Sequence, residues 1–253
     1  MELNYKEFCE GRPLIILHGL LGSLDNWQTL ARRFGEDFHV FAVDQRNHGQ
    51  SPHSTEMTYK ALTEDLLEFI EKHKIYMPVL LGHSMGGKTA MSFAQKYPEK
   101  IDRLIVADIS PKDYGIHHQD ILDALTSVDF ERMKDRKTIQ EHLMNRINNL
   151  GIVLFLSKNI YWVDKQNLAF RFNLPVLNDS IAQMSGWVGD QGQYDGSTLF
   201  IRGGNSPYIK NDDMAITGQF PNNEIETIRG AGHWLHAEKP EEFYQIVRSF
   251  MLR

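Results

Sequence analysis

Gly82-His83-Ser84-Met85-Gly86-Gly87-Lys88-Thr89 fits two catalytic motifs at once, and the choice between them decides the chemistry. As G-x-S-x-G it is a nucleophile elbow, a sharp strand-to-helix turn that holds the Ser84 hydroxyl clear of neighbouring backbone. As G-x-x-x-x-G-K-T it is a phosphate loop, with Lys88 reaching toward a nucleotide. Both need an apolar strand before and a helix after, and Met77 to Leu81 followed by Lys88 to Tyr97 supplies both. The stretch therefore predicts an α/β fold but does not by itself select a reaction.

The flanking sequence extends this pattern. Leu14 to Leu17, Trp27 to Phe34, Val40 to Val43, Tyr59 to His73 and Val79 to Leu81 alternate short apolar runs with helical periodicity, which predicts β-α units around a parallel sheet. In the longest helix Tyr59, Leu62, Leu66, Phe69 and Ile70 recur every three or four residues. Glu64, Asp65, Glu68 and Glu71 are expected on the opposite, polar face, with Thr58 as N-cap. A further strand, Leu104 to Ala107, ends at Asp108. Residues 112 to about 195 differ: charged helical stretches such as Phe130 to Asn148 are interleaved with aromatics, without strand-helix alternation. Alternation resumes with the strand Thr198 to Ile201, the turn Gly203 to Pro207, a short helix and the strand Ile225 to Ile228. A last helix beginning at Pro240 should bury Phe243, Ile246, Val247 and Phe250. The expectation is one domain, 1–253, with a core of 1–110 and 196–253 and an insertion at about 111–195.

Composition narrows the partners. The net charge is −6 with both signs interspersed, so no basic stripe can follow a phosphate backbone and nucleic acid is not expected. Cys9 is the single cysteine, which excludes an intramolecular disulfide and a cysteine-based zinc site. Met1 to Arg12 lacks a basic region followed by a long apolar run, and Leu14 to Leu17 is too short to span a bilayer; a cytoplasmic chain without a membrane partner is expected.

A phosphate-loop enzyme also needs a strand-end aspartate to help hold Mg²⁺, and Asp108 could serve. That chemistry leaves two features unused: His18-Gly19 after the strand Leu14 to Leu17, and Gly230-Ala231-Gly232-His233 after Ile225 to Ile228. Acyl transfer requires both. A serine hydroxyl needs a base to take its proton, and the developing oxyanion needs backbone N–H donors. Loops at the carboxyl ends of parallel strands converge on one crevice, so motifs distant in sequence can meet there.

On these residues the chain resembles the serine hydrolases of the α/β-hydrolase fold, most closely bacterial esterases of the YbfF type. The resemblance rests on His18 to Ser23, Asp44 to Ser51, Gly82 to Lys88, Arg171 to Pro175, Gly203 to Tyr208 and Gly230 to Pro240. It implies a mostly parallel central sheet flanked by helices, with a helical cap inserted after the strand ending at Asp108. It also implies hydrolysis of carboxylic esters or thioesters, with no cofactor and no metal. Lys88 belongs to the family pattern and so loses its force as evidence for nucleotide.

Roles follow residue by residue. Ser84 is the nucleophile. His233 is the base, since it alone among eleven histidines follows the last strand inside a Gly-rich turn in the order Ser, Asp, His; His236, three residues on, is its rival and reads as structural. The backbone N–H groups of Leu20 and Met85 are the expected oxyanion donors. Many family members carry the acid after the strand Thr198 to Ile201, but this chain has Gly203-Gly204-Asn205-Ser206 there. The acid is therefore assigned to Asp108, whose alternative role is to cap the Ser110 turn, with Ser206 in support of Asp108 or His233. Asp44 and Glu238 are weaker candidates. His18, Gly19, Tyr114, Trp162, Phe170, Phe172, Trp187 and Trp234 are candidates to line the substrate site, although His18 also suits a role in bracing its own loop and the aromatics could equally form the cap's core.

The expected function is a serine carboxylesterase or thioesterase acting on small to medium acyl esters or thioesters through an acyl-enzyme. A serine-triad lyase or carbon-carbon hydrolase is the alternative, and for an acidic substrate it would want cap cations such as Arg171 facing the crevice. A P-loop nucleotide-binding protein is a third possibility, and a receptor that keeps the hydrolase shell with little turnover is a fourth.

Overall fold

The computed structural model describes residues 1–115, 119–187, 192–210 and 213–253. Strands β1 (Tyr5–Phe8) and β2 (Pro13–Leu17), helix α1 (Gln28–Phe34) and strand β3 (His39–Val43) open the chain, followed by α2 (Tyr59–Lys72), β4 (Val79–His83), α3 (Met85–Lys96) and β5 (Arg103–Ala107). Between β5 and the next core strand lie α4 (Gln119–Thr126), α5 (Arg136–Ile147), α6 (Leu150–Ser157), the strands β6 (Ile160–Trp162) and β7 (Leu168–Phe170), α7 (Leu174–Asp179) and α8 (Ile181–Ser185). The chain closes with β8 (Thr198–Gly203), α9 (Met214–Gln219), β9 (Asn223–Ile228), α10 (Leu235–Glu238) and α11 (Pro240–Met251).

Among the described residues seven strands form one sheet in the order β1-β3-β2-β4-β5-β8-β9. Every pairing is parallel except that of β1 with β3. The edge strand β1 escapes a hydrophobicity search because Tyr5-Lys6-Glu7-Phe8 is short, polar and half exposed, as befits a sheet edge. The central strands are apolar on both faces because each face is covered. Leu14, Ile16, Val40, Ala42, Leu81 and Ile105 pack with α1 and α11, whereas Ile15, Leu17, Phe41, Leu80, Leu104 and Phe200 pack with α2, α3 and α9.

Thr58 caps α2 by accepting the Ala61 N–H at 3.0 Å, and Pro240 begins α11, which buries Phe243, Val247 and Phe250 and half-buries Ile246. Full burial of such side chains contributes roughly 1.5 to 3 kcal/mol each. One expectation about α2 fails. Asp65 is buried, not solvated, because Arg46 reaches it through two bonds, Nε to Oδ2 at 2.6 Å and a second nitrogen to Oδ1 at 2.9 Å. The segment between β5 and β8 also departs from the all-helical expectation, since β6 and β7 form an antiparallel hairpin, and the helix expected over Phe130 to Asn148 starts only at Arg136, capped by Asp135. Its apolar residues form a cluster shared with Leu21, Met57, Tyr59, Leu62 and Met85 of the sheet-bearing part.

Candidate active site

The elbow forms because glycines remove two clashes. A Cβ on Gly82 would stand 2.1 Å from Gly86 O, and one on Gly86 would stand 2.4 Å from Leu17 O. Between them Ser84 adopts φ 53°, ψ −116°, a strained geometry that the surrounding structure must enforce. Ser84 Oγ has no hydrogen-bond partner among the described residues, and Ser84 and His233 border the same cavity. Nucleophile–base hydrogen bonds are often long before substrate closes a site.

Asp108 follows β5 with φ 52° and is fully buried. Its Oδ1 accepts the Gly203 N–H at 2.9 Å, and its Oδ2 accepts both the Ser206 hydroxyl and His233 Nδ1, the latter at 2.8 Å. A carboxylate accepting from Nδ1 fixes the tautomer, leaving Nε2 of His233 free to take a proton. The His233 ring stacks on Tyr208 at 4.2 Å between centroids, and its backbone carbonyl accepts His83 Nε2–H at 2.8 Å. Tyr208 and His83 lie within stretches that carry the family resemblance, but the sequence assigned them no role.

The loop after β2 is braced by two buried histidines. Gln45 N–H donates to His18 Nε2 at 3.0 Å, so His18 Nδ1 carries the proton and donates to Gly19 O at 2.8 Å. In the same way Leu21 N–H donates to His48 Nε2 at 3.1 Å and His48 Nδ1 donates to Arg46 O at 2.9 Å. Burial holds His18 down to about 4 and His48 to about 3, which keeps both neutral. Among the described residues the Leu20 and Met85 backbone N–H groups have no acceptor. Met85 is the first residue of α3, where the helix dipole favours negative charge.

Two cavities open from Ser84. One is lined by Leu20, Tyr59, Met85, Lys88, Tyr114 and Tyr208, among others; the second by Gly19, Leu20, His83, Phe155, His233 and Trp234, among others. Tyr114, Trp234, Gly19, Leu20 and Met85 thus stand where substrate could touch them.

Several expected lining residues do not. His18 is buried beneath its own loop, and Trp162 sits half exposed on β6. Phe170 and Phe172 stack on each other at 4.9 Å inside the helical cluster, and Trp187 donates its indole N–H to Gln219 Oε1 at 2.9 Å. Arg171 lies over the Tyr161 ring at 4.5 Å and borders neither cavity. Phe170, Phe172 and Arg171 are claimed by packing within the insertion, whereas His18 and Trp187 are held by partners outside it.

The other candidate acids and the rival base are also occupied. Asp44 Oδ1 accepts Leu24 N–H and Oδ2 accepts Gln50 N–H; Glu238 accepts Gly232 N–H at 2.7 Å. His236 is buried flat against Trp27, 4.2 Å between centroids, with burial pushing it down to about 3. Lys88 does not face a phosphate-binding loop: its Nζ donates to Ser185 O at 2.8 Å and Gly186 O at 2.6 Å. Among the described residues no three His, Cys, Asp or Glu side chains are grouped to hold a metal ion, and no helix is long and apolar enough to cross a membrane.

Comparison with known proteins agrees with this fold. A family model described as alpha/beta hydrolase fold matches residues 12–138. The chain is 37% identical over 243 residues to the esterase YbfF of Escherichia coli, covering 94% of this chain and 92% of that one. It is also 37% identical to a Xenopus laevis protein named sn-1-specific diacylglycerol lipase ABHD11, covering 95% and 80% of the two chains. A solved marine microorganism esterase superposes with a TM-score of 0.95 at 40% identity, covering 98% of this chain and 99% of that chain.

Proposed function

The chain belongs to the alpha/beta hydrolase fold family, and on that premise we propose that Ser84, His233 and Asp108 hydrolyse small to medium acyl esters or thioesters through an acyl-enzyme. The protein is an ester-hydrolysing serine hydrolase. The observation that carries the residue assignment is the chain of contacts from the buried Asp108 carboxylate to His233 Nδ1, with Ser84 on the cavity that His233 borders.

In the first half-reaction Ser84 Oγ attacks the carbonyl carbon while its proton passes to His233 Nε2. The oxyanion is received by the Leu20 and Met85 N–H groups, the kind of stabilisation that is commonly the largest single contribution to acyl transfer. The bond to the leaving oxygen or sulfur then breaks, and His233 returns the proton to it. Water repeats the sequence in reverse: His233 takes its proton, the hydroxide oxygen bonds to the acyl carbon, and Ser84 is released with the proton restored. Asp108 stabilises the imidazolium in both halves. Ser206 and Gly203 hold Asp108 in place.

The segment between β5 and β8, about 111–195, acts as a cap over the crevice within a single domain; it supplies Tyr114, Ile121, Phe155 and Met184 to the cavities. Its parts at 116–118 and 188–191 lie outside the described residues. A serine-triad lyase or carbon-carbon hydrolase would need no different triad, but the ester-cleaving relatives favour hydrolysis. The placement of Lys88 leaves the nucleotide alternative without its phosphate ligand.

Treatment with a fluorophosphonate probe should label Ser84 in the wild type and fail in Ser84→Ala. A panel of p-nitrophenyl esters and acyl-CoA thioesters then measures the ester against the thioester preference. Absence of label at Ser84 would overturn the assignment.

A further inference from the structure

The two cavities that meet at Ser84 are chemically unequal. The leaving group must depart beside the group that protonates it, and His233 borders only the cavity that also contains Ile121, Ile152, Phe155 and Trp234. The other cavity, lined by Ser84 without His233, is left for the acyl group, which stays bonded to Ser84 after the leaving group has gone. Its wall is apolar apart from its tyrosines, two serines and one charge, Lys88.

Lys88 is an unusual wall residue. It is 1% exposed, and its ammonium is held by two neutral carbonyls, Ser185 O and Gly186 O, and faces the rings of Tyr59 at 5.8 Å and Tyr114 at 5.1 Å. Among the described residues no carboxylate lies within ion-pair distance of it; Asp113 acts on it only from farther away. An ammonium has three donors, and those two carbonyls occupy two of them. A buried charge without a counter-ion is costly, and a chain that needed only an apolar acyl pocket could place a methionine here. Lys88 lies four residues beyond Ser84, one turn along the same face of α3, roughly 6 Å by helix geometry.

We propose that Lys88 determines acyl specificity by receiving a carboxylate at the far end of a short acyl group, so that half-esters or half-thioesters of dicarboxylic acids are preferred over neutral acyl groups of equal length. This rests on the serine-hydrolase assignment of the same site. Binding the carboxylate gives the ammonium a counter-ion at ion-pair distance, which it lacks among the described residues, in a water-poor cavity where such charge-assisted hydrogen bonds are strongest. A neutral acyl chain leaves the ammonium with only its carbonyl partners and the more distant Asp113 among the described residues, and a site built for a polar partner discriminates against analogues lacking it.

The test compares aryl esters in pairs of matched chain length, one ending in a carboxylate and one in a methyl group, with wild type, Lys88→Met and Lys88→Arg. Wild type should favour the carboxylate partner in kcat/KM by roughly tenfold or more. Lys88→Met should abolish or invert that ratio, and Lys88→Arg should retain part of it. Because each enzyme is its own reference, partial misfolding lowers both rates and leaves the ratio readable. If Lys88→Met does not fold, the wild-type ratio alone decides. A wild-type ratio near one, or one unchanged in Lys88→Met, overturns the proposal. Fluorophosphonate labelling of Ser84 in the same samples keeps that failure distinct from failure of the serine mechanism.

Discussion

At the scale of single residues, the buried Asp108 carboxylate serves three donors, and their removal should be graded. Asp108→Asn keeps the shape of the site but presents the wrong hydrogen-bonding group to His233 Nδ1. Turnover should fall by about 10⁴ with KM little changed, measured by steady-state kinetics on a p-nitrophenyl ester. Near-normal turnover would move the acid elsewhere. Ser206→Ala deletes only the hydroxyl donated to Oδ2. Loss of one hydrogen bond to a charged group predicts a fall of roughly tenfold or more in kcat, far smaller than that for Asp108→Asn. Equal losses in the two variants would mean that Ser206 itself contacts the reacting atoms.

At the scale of elements, the β4-to-α3 turn is fixed by the absence of side chains. Gly82→Ala would place a methyl group 2.1 Å from Gly86 O, and backbone cannot withdraw as a flexible side chain would. A loss of about 3 kcal/mol or more is expected, at the upper end of overpacking costs, seen as a lowered denaturation midpoint; a stable, active variant would mean the turn can open.

Helix α3 also carries Lys88, which burial pushes down to about 8. Among the described residues the titratable groups around it are the phenols of Tyr59 and Tyr114, both raised by burial, and, farther away, the Asp113 carboxylate. Lys88 is charged below that value and neutral above it, so the carboxylate-to-neutral ratio should decline as pH rises through about 8. Taking the ratio cancels the titration of the triad. A ratio independent of pH between 7 and 9 (on the order of one unit either side of that value) would contradict the role of the ammonium.

At the scale of the molecule, four buried histidines frame the site. Burial is the first cause that lowers each: His18 to about 4, His48 and His236 to about 3, and His83 well below its ordinary value. An unfolded histidine titrates near about 6.5. Below that pH the unfolded chain binds protons that the folded one refuses. Their contribution is therefore fully present above about 6.5 and is lost as pH falls toward the folded values, by up to about 1.4 kcal/mol per pH unit for each histidine. Urea midpoints measured between neutral and mildly acidic pH should fall accordingly, and His236→Phe should reduce the slope by about one proton. A midpoint insensitive to pH in that window would mean these rings are not held neutral.

Much of this molecule is legible in its sequence because the information is local. The clash of Gly82 with Gly86, the alternation of apolar runs, the Thr58 cap and the strand-end position of Asp108 each depend on neighbours within a few residues. Sterics and periodicity act at that range. They determined the order of the main-sheet strands from β2 onward and the elbow with its serine, while the base and the acid displaced from the turn at Asn205-Ser206 were read with the help of the family resemblance. Only tertiary structure decided where long side chains end. Asp65 turned inward to Arg46, Phe170 and Phe172 were absorbed into the helical cluster, and Arg171 settled over Tyr161. Lys88 found carbonyls nearly a hundred residues away and became the charge in an acyl-side cavity. Such partners are chosen by packing between segments distant in sequence, and the free energy of burying a charge depends on that whole environment, which no local pattern contains.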